Sequence, residues 1–341
     1  MNPGKILIIQ TAFLGDVVLT TPLIKAVRKK YPQAKIFFLL IPQTKELLRN
    51  NPNLDGIIVY DKKGEEKGIF GFLNLVKKIK SSEFDLAIIP HRSFRSALIA
   101  FLARITQRIG FDKSSGAFFL TQKIKYIQNQ SETKRNLSLL GNDLSLESDS
   151  QPELFPSEED FRYVAELLKE WSLKTDDKII GIAPGSVWNT KRWLPERYGQ
   201  VAENLIEKLG VKVIFIGGKE DEVLCHEIVN KMKTKPFIAA GEISPLQSAA
   251  LISSCKVMLS NDTAPLHIAV AMGVPVVAIF GSTIPEFGFA PTGKNDVVIQ
   301  KKLYCRPCGI HGRKKCPEKH FRCMKEITAE DVFKVVSLKL K

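Results

Sequence analysis

The stretch Ser260–Pro291, SNDTAPLHIAVAMGVPVVAIFGSTIPEFGFAP, carries the strongest indication of the fold. It predicts a strand end, an acidic and hydroxylated turn, a helix with Pro265 in its first turn, and a buried strand, VPVVAIF. Thr263–Pro285 contains no Lys, Arg, Asp or Glu and is long enough to span a membrane. Its prolines and glycines would break a spanning helix, however, and VPVVAIF is short and β-branched, which is typical of a buried parallel strand. We therefore expect a helix–turn–strand unit of an α/β domain.

The turn at the start of this helix is a candidate ligand site. Helix starts carry backbone N–H groups without intrahelical partners, and such groups bind phosphate. Asp262 directly precedes the turn and is better suited to holding hydroxyl groups than to facing a phosphate. A ligand with both a phosphate and a polyhydroxylated portion, such as a nucleotide-sugar, fits this combination.

Composition limits the class of protein. The chain has 341 residues, of which 44% are hydrophobic and 25% charged, and this suits two globular domains. The net charge of +14 favours an anionic partner, but no long basic block is present, which argues against nucleic acid. The amino terminus, MNPGKILIIQ, lacks the design of a signal peptide. We therefore expect a cytoplasmic protein with reduced cysteines.

Short apolar runs alternate with helical patterns twice along the chain. This predicts two doubly wound, Rossmann-like domains facing a central cleft, with a polar linker around residues 147–156. The predicted domains are residues 1–150 and 151–325, and a final helix within 326–341 is expected to pack back on the first domain. No repeat with a period of about 20–50 residues is present, so a solenoid is not expected.

The loop after the first predicted strand, Thr11–Asp16, should lie at the ligand-binding edge of its sheet. Gly15 permits a tight turn, and Asp16 falls at or just inside a helix start. Asp16 is therefore either an ordinary helix cap or a functional carboxylate, and position alone does not separate the two. The glycine fingerprint G-x-G-x-x-G of dinucleotide-binding domains is absent, which weighs against an oxidoreductase.

Two loops of the second half carry further candidates for ligand binding. Ser186 follows a predicted strand, and Lys191 and Arg192 precede the helix that begins at Pro195, so this loop is either a phosphate contact or a solvated surface. Glu220 follows another strand, at a position from which a carboxylate commonly binds ribose hydroxyls. Glu220 could instead simply favour the start of the helix that follows.

Four cysteines near the carboxyl end form the pattern C-x2-C-x7-C-x6-C: Cys305, Cys308, Cys316 and Cys323. In a reducing compartment this spacing favours a structural zinc site. An iron–sulfur cluster, a redox-sensitive disulfide and reduced thiols lining a loop are the alternatives. A catalytic metal is not expected, because four thiolates leave no open coordination position.

Basic loops follow two predicted strands of the first half. His91, Arg92 and Arg95 follow the fourth strand, and Lys62 and Lys63 follow the third. They are either an anion-binding group, which we assign to an acceptor substrate, or surface cations. The segment GIFGFLNLVKKIK, residues 68–80, mixes aromatic and basic residues and is interpreted mainly as a helix packed on the core, with contact with a lipid surface as the alternative.

Together these motifs resemble the ADP-heptose:lipopolysaccharide heptosyltransferases of glycosyltransferase family 9. The resemblance runs through nearly the whole chain and is most specific in FLGDVVLTTP, APGSVWNTKRWLPERY and NDTAPLHIAVAMGVPVVAIFGST. The TKRW and FGST segments resemble heptosyltransferase II members most closely. The resemblance implies the GT-B fold, an acceptor-binding first domain and a nucleotide-sugar-binding second domain.

The resemblance also implies roles for individual residues. Asp16 matches a proposed general base, Lys191 a cation on the donor diphosphate, and Glu220 a ribose-binding carboxylate. Asp262 matches an acid that binds heptose. The remaining donor-binding positions are Ser186, Thr263, Ala264 and His267. The sequence departs from the family pattern at Ala264, where glycine is common, and in its cysteine cluster, which has no general counterpart.

The reaction implied is inverting transfer of heptose from ADP-heptose to a phosphorylated lipid A-core acceptor, with the second heptose as the group added. It requires no cofactor, and we expect the protein at the inner face of the cytoplasmic membrane. The alternatives are another nucleotide-sugar or acceptor, a nucleotide-dependent oxidoreductase, and a binding protein without catalytic activity.

Overall fold

A computed structural model describes residues 2–141 and 150–340 of the chain. It divides into two compact units, Met1–Phe155 and Pro156–Lys341. The predicted boundary at residue 150 lies close to this division, and part of the predicted linker, residues 142–149, lies outside the described residues. The two units are described separately below.

Unit 1 contains a six-stranded parallel sheet with helices between its strands. The strands are β1 (Lys5–Ile9), β2 (Lys35–Leu40), β3 (Gly56–Val59), β4 (Leu86–Ile89), β5 (Gln107–Phe111) and β6 (Gln122–Ile124). The helices are α1 (Leu14–Val18), α2 (Thr21–Lys30), α3 (Gly68–Ser81), α4 (Phe94–Leu102) and α5 (Glu132–Ser138).

The strand order β3-β2-β1-β4-β5-β6 explains where the ligand-binding edge of unit 1 lies. The chain runs outward from β1 to β3 and then crosses back to β4, so the winding direction reverses beside β1. The central strands are buried on both faces, as their continuous runs of Ile and Leu predict. The loops after β1 and β4 therefore flank the point at which doubly wound sheets bind ligands.

Unit 2 repeats this architecture with the order β12-β11-β10-β7-β8-β9. Its strands are β7 (Ile179–Ala183), β8 (Lys212–Phe215), β9 (Phe237–Ile238), β10 (Cys255–Asn261), β11 (Val276–Phe280) and β12 (Val297–Gln300). Its helices are α6 (Glu158–Glu170), α7 (Pro195–Leu209), α8 (Glu222–Asn230), α9 (Pro245–Ser253), α10 (Ala264–Ala271), α11 (Arg322–Lys325) and α12 (Ala329–Leu338).

Local sequence explains the limits of several helices in unit 2. α7 begins with Pro195, whose missing N–H is not needed in a first turn, and ends at Gly210, which has φ +63°. α12 begins with a capping box between Thr328 and Asp331. This last helix packs on α7 and contributes Val332 and Val336 to the core of unit 2. Its expected contact with the first domain stays a prediction.

The predicted α/β class with two doubly wound parallel sheets is confirmed. The sequence pattern over residues 44–50 predicts a helix, and that prediction is wrong, because the chain forms two short 3₁₀ turns at Pro42–Thr44 and Glu46–Leu48. The short strands β5, β6 and β12 at the outer part of each sheet were not predicted. Among the described residues, no helix is long and apolar enough to cross a membrane.

Candidate functional site

Three loops meet at the carboxyl edge of the unit 2 sheet. β10 ends in Asn261 and is followed by Asp262; its neighbours are β7, which leads into the loop at Pro184, and β11, which leads into Gly281. Parallel strands present their carboxyl ends at the same edge, so the charged and hydroxylated loop residues converge there. These are the loops that the sequence singled out.

The centre of this edge is a buried ion pair between Lys191 and Asp262. Lys191 Nζ lies 2.7 Å from Asp262 Oδ2, and the same carboxylate oxygen accepts a hydrogen bond of 2.7 Å from Thr283 Oγ1. Both charged side chains are largely shielded from water. The structure therefore joins two residues that the sequence placed 71 positions apart, and Lys191 is not a solvated surface cation.

Asn261 holds the loop after β7 in position. Its amide nitrogen donates to the carbonyl oxygens of Pro184 (2.8 Å) and Gly185 (3.3 Å), and its side-chain oxygen accepts from the Trp193 backbone N–H at 3.0 Å. All these groups are buried, so each would carry a desolvation cost if left without a partner. Asn261 thus fixes both ends of the segment that carries Ser186 and Lys191.

The start of α10 contributes three of the predicted donor-binding residues. Thr263 precedes the helix in extended conformation, Ala264 is its first residue, and His267 is buried one turn later. Burial lowers the pKa of His267 to about 4, although the nearby Asp262 opposes this shift. His267 is therefore neutral at pH 7 and can exchange hydrogen bonds without adding charge.

Ser186 lies buried in the loop after β7. Its backbone oxygen accepts a hydrogen bond of 2.6 Å from Arg192 Nε. Arg192 therefore binds the backbone of its own loop and does not point wholly into solvent. The residue before Ser186 must be glycine, because a Cβ on Gly185 would lie 1.9 Å from Asp221 Oδ1.

Glu220 is placed differently from the other donor candidates. It lies exposed on the short turn Lys219–Asp221 after β8, and no contact described for residues 150–340 joins it to Lys191 or Asp262. The neighbouring Asp221 packs against Gly185 instead, and burial raises the pKa of its carboxyl group. No sequence pattern indicates Asp221, because its proximity to Gly185 exists only in the folded sheet.

The cysteine-rich segment packs directly against the loop that carries Lys191. The backbone N–H of Arg313 donates to Thr190 Oγ1 at 2.7 Å, and the Thr190 N–H donates to the Arg313 oxygen at 3.0 Å. Thr190 Oγ1 in turn donates to Ser282 Oγ at 3.0 Å. Gly312 has φ +80°, and a Cβ on it would lie 3.0 Å from Lys191 Cγ. The segment is therefore a wall of the candidate site, a role that its cysteine pattern did not reveal.

The four cysteines lie within one small region of this segment. Cys323 is buried, Cys305 Sγ lies 3.8 Å from His320 Nε2, and Cys308 Sγ donates to the Cys305 oxygen at 3.5 Å. Burial raises the pKa of Cys308, and the nearby thiols of Cys305 and Cys316 add to this shift. Thiol and imidazole groups are ligands that zinc prefers, but over residues 2–141 and 150–340 no three metal-binding side chains converge on one point.

In unit 1, Asp16 is the third residue of α1. Its carboxylate accepts a hydrogen bond of 3.1 Å from the Phe13 backbone N–H, which completes the start of the helix. Asp16 is partly exposed. The capping interpretation is therefore part of its role, and the interpretation as a functional carboxylate stays a prediction.

His91 and Lys62 converge on Thr11, in the loop after β1. His91 Nδ1 lies 3.1 Å from Thr11 Oγ1 and 3.0 Å from Ser96 Oγ, and Lys62 Nζ donates to the Thr11 backbone oxygen at 3.0 Å. Burial, with Lys62 and Arg92 nearby, lowers the pKa of His91 to about 4. The structure thus brings the loops after β1, β3 and β4 together at Thr11. Thr11 precedes Asp16 by five positions in the sequence.

The two predicted arginines of this region make different contacts. The Arg92 guanidinium stacks 4.2 Å from the ring centre of Tyr126. Arg95 lies beside Tyr60 and Lys62. Burial lowers the pKa of Lys62, and the positive charges of Arg95 and Lys63 lower it further. A partly buried group of like charges is stabilised by an anion, so this edge of unit 1 suits a negatively charged ligand.

Comparison with known proteins places this arrangement in a family. Residues 72–321 match the profile of glycosyltransferase family 9 (heptosyltransferase). The chain is 27% identical to lipopolysaccharide heptosyltransferase 2 of Escherichia coli K12, with 83% of this chain and 84% of that protein covered. It is 26% identical to lipooligosaccharide heptosyltransferase 2 of a Campylobacter jejuni strain, over 99% and 98% of the two chains.

Solved structures agree with the fold. The chain superposes on a family 9 glycosyltransferase from Veillonella parvula with a TM-score of 0.87 and 26% identity, over 99% of this chain and 97% of that one. It superposes on E. coli ADP-heptose lps heptosyltransferase II with a TM-score of 0.79 and 24% identity, over 98% of each chain. The predicted GT-B fold class is therefore confirmed. With two such sheets and a profile match over most of its length, the chain belongs to glycosyltransferase family 9, the heptosyltransferases.

Proposed function

We propose that this glycosyltransferase moves heptose from ADP-heptose to the phosphorylated inner core of lipopolysaccharide, adding the second heptose to heptosyl-Kdo2-lipid A. The observation that carries the proposal is the buried pair of Lys191 and Asp262 at the carboxyl edge of the unit 2 sheet, beside the start of α10. This arrangement supplies a cation and helix N–H groups for a diphosphate, and a carboxylate for sugar hydroxyls.

The donor assignment extends to the neighbouring residues. In the proposed complex the diphosphate lies against Lys191, Ser186 and the Thr263–Ala264 helix start, with His267 neutral beneath it. Asp262 accepts hydrogen bonds from heptose hydroxyls. Glu220 is proposed to bind the ribose, for which its exposed position on the turn after β8 leaves room.

The reaction joins the oxygen of an acceptor hydroxyl to C1 of heptose, on the face opposite the diphosphate. The bond between C1 and the diphosphate oxygen breaks, and its electron pair leaves with ADP. Asp16 takes the proton of the attacking hydroxyl, and Lys191 with the α10 start stabilises the charge that develops on the leaving group. No step of this proposal uses a cofactor.

Unit 1 is proposed to bind the acceptor. The cationic group of Lys62, Arg92 and Arg95 suits the phosphates of a lipid A-core, and His91 positions the Thr11 loop between them. An acceptor anchored in lipid would place the enzyme at the inner face of the cytoplasmic membrane. The net charge of +14 supports this location, because that surface is anionic.

The test is a transfer assay with purified protein, ADP-heptose and heptosyl-Kdo2-lipid A, with the product identified by mass spectrometry. Kdo2-lipid A serves as the alternative acceptor, and product with it alone would refute the second-heptose assignment. Thermal-shift measurements with ADP, ADP-heptose, UDP-sugars and NAD test the donor, since a ligand stabilises the folded state according to its affinity. Stabilisation by NAD or a UDP-sugar, but not by ADP, would refute ADP-heptose.

We also propose that the four cysteines bind one structural zinc ion. Zinc prefers four thiolates in tetrahedral arrangement, and the segment offers four within a span of 19 residues. Protein purified under reducing conditions should contain about one zinc per chain by elemental analysis. A Cys305→Ser, Cys308→Ser variant should lose the metal, whereas Cys225→Ser, in the core beside α7, should retain it. Absence of stoichiometric metal from reduced wild-type protein would refute the site.

A further inference from the structure

One face of unit 1 exposes an unusual number of large apolar side chains. Phe70 at the start of α3 is 80% exposed, and Phe118 in the turn before β6 is 67% exposed. Ile69 and Leu73 of α3 and Phe94 and Phe101 of α4 are also exposed. Large apolar side chains exposed on neighbouring elements, as on α3, α4 and the turn here, commonly mark an interaction site. We call these six residues the apolar face.

Part of the apolar face is a built aromatic cluster. The ring of Phe119 lies 4.2 Å from that of Phe118, 4.8 Å from Phe101 and 5.5 Å from Phe94. Gly116 allows the turn to approach α4, because a Cβ there would lie 2.8 Å from the Cβ of Ala97. The exposed rings of Phe94, Phe101 and Phe118 therefore all pack against Phe119 and form one cluster.

The members of the apolar face lie on one side of the sheet. The crossovers from β3 to β4, from β4 to β5 and from β5 to β6 all run in the same direction, so right-handed connections place α3, α4 and the 117–119 turn together. Their inner side chains share one core cluster, in which Leu75, Ile99 and Phe119 pack. The outer side chains of the same elements face solvent together.

The charge around this face is strongly positive. Residues 67–125 contain eleven Lys and Arg but only three Asp and Glu. Two of the three acids are engaged in backbone hydrogen bonds, Asp85 with Gly4 and Lys5, and Asp112 with Tyr126. Lys77, Lys78 and Lys80 of α3 are exposed. Aromatic and aliphatic side chains surrounded by basic ones are typical of surfaces that lie on anionic lipid.

We propose that the apolar face docks on a bilayer containing anionic lipids, with its aromatic side chains in the head-group region and the α3 lysines against lipid phosphates. Charge argues against a second copy of this chain as the occupant, because a symmetric contact would set this basic surface against itself. A lipid surface supplies both the apolar and the anionic component.

The docking surface adjoins the residues proposed to bind the acceptor, a point that rests on the proposed function. Phe94 lies between Arg92 and Arg95 in the sequence and opens α4. A lipid-anchored acceptor would then reach the cationic loop from the bilayer on which the enzyme rests. Docking itself depends only on the surface described above.

The test is co-sedimentation of the full-length protein with vesicles that contain neither acceptor nor nucleotide-sugar. Wild-type protein should bind vesicles of phosphatidylcholine mixed with phosphatidylglycerol and should bind phosphatidylcholine alone much more weakly. Phe70→Ser with Phe118→Ser should reduce binding by about 10-fold or more, because the side chains removed are those that enter the lipid. Val223→Ser, also 67% exposed but on α8 of unit 2, is the matched control and should bind as wild type does.

A charge variant, Lys77→Glu with Lys80→Glu, tests the same surface without touching the aromatic cluster and should also weaken binding, more so at low salt. Unchanged vesicle binding by both variants would overturn the proposal.

Loss of a dimer in sedimentation velocity, with lipid binding unchanged, would instead assign the face to a second copy. Heptosyl transfer to a delipidated acceptor should stay at the wild-type rate in the aromatic variant, so failure of docking and failure of the proposed activity remain distinguishable.

Discussion

Asp16 shows how one carboxylate can serve both a helix start and a proposed proton transfer. Its hydrogen bond with the Phe13 N–H belongs to the helix cap, and asparagine can accept the same bond. A base, however, needs a carboxylate, because a neutral amide takes up no proton near pH 7. Substitution by asparagine therefore separates the two roles.

We expect Asp16→Asn to fold with wild-type stability and to bind ADP with unchanged affinity. Its transfer rate should fall roughly 10²–10⁴-fold, the usual contribution of a positioned base. Calorimetric unfolding, ADP titration and initial rates on one preparation check all three expectations. Turnover near the wild-type value would leave Asp16 with a capping role alone.

The Lys191–Asp262 pair makes a second prediction at the residue scale. Lys191→Ala should slow transfer by roughly 10²–10³-fold if the lysine stabilises the leaving diphosphate. It should also lower the free energy of unfolding by about 3 kcal/mol, because Asp262 would remain buried without its cation. Lys231→Ala, an exposed lysine at the end of α8, is the control and should change neither quantity.

Adding Asp262→Asn to Lys191→Ala distinguishes the effect on stability from the effect on rate. Asparagine removes the uncompensated charge and can still accept from Thr283, so the double variant should regain part of the lost stability. It should not regain rate. Recovery of both would mean that the lysine acts only through folding.

At the scale of structural elements, the cysteine-rich segment is tied to the loop proposed to bind the donor by two hydrogen bonds between Arg313 and Thr190. No residue of this segment takes part in the proposed chemistry, so the cysteine pattern alone predicts that activity is independent of it. The packing against Thr190 and Lys191 revises that expectation. A change in the segment should reach the donor site through these contacts.

Gly312→Ala tests this connection. The new Cβ would strain a backbone at φ +80° and press on Lys191 Cγ and Ser282 Oγ, so ADP affinity should fall roughly 10-fold. Gly309→Ala is the matched control, because Gly309 also has positive φ but no atom lies within 4 Å of its Cβ position. Equal effects of the two substitutions on ADP affinity would show that backbone strain alone is responsible.

At the scale of the whole molecule, each unit contains a histidine with a depressed pKa: the half-buried His91 in unit 1 and the buried His267 in unit 2. The pKa values of His91 and His267 are about 4, whereas an unfolded chain has the ordinary value of 6.5. The unfolded state therefore binds more protons between these values, and stability decreases as the pH falls from 6.5 towards 4. Above pH 6.5 both states hold neutral histidine, and the penalty disappears.

We expect each histidine to steepen the pH dependence of the unfolding free energy by about 1.4 kcal/mol per pH unit within this window. Denaturant unfolding at several pH values measures the slope. His267→Gln should flatten it, because one of the two histidines with a depressed pKa is then absent. A slope equal in wild type and His267→Gln would show that His267 is protonated alike in both states.

The sequence by itself determined the architecture of both units. Continuous apolar runs such as Ile179–Ala183 and Val276–Phe280 bury both faces of a strand, and Pro195 and Gly210 limit a helix through backbone geometry alone. These are local effects, so a single sequence reveals them. The loops that carry Asp16, Lys191 and Asp262 could be predicted for the same reason, because each directly follows or adjoins a strand end.

Only the tertiary structure decided which of these residues meet. The order of β7, β10 and β11 brings Lys191 to Asp262 and Asn261 to Gly185, and it leaves Glu220 on a more distant turn. Asp221, Gly312 and the apolar face of unit 1 depend likewise on packing between segments far apart in sequence. The distance between two side chains depends on the order in which the strands assemble. That order is set by the burial of apolar surface along the whole chain, which no single loop sequence reveals.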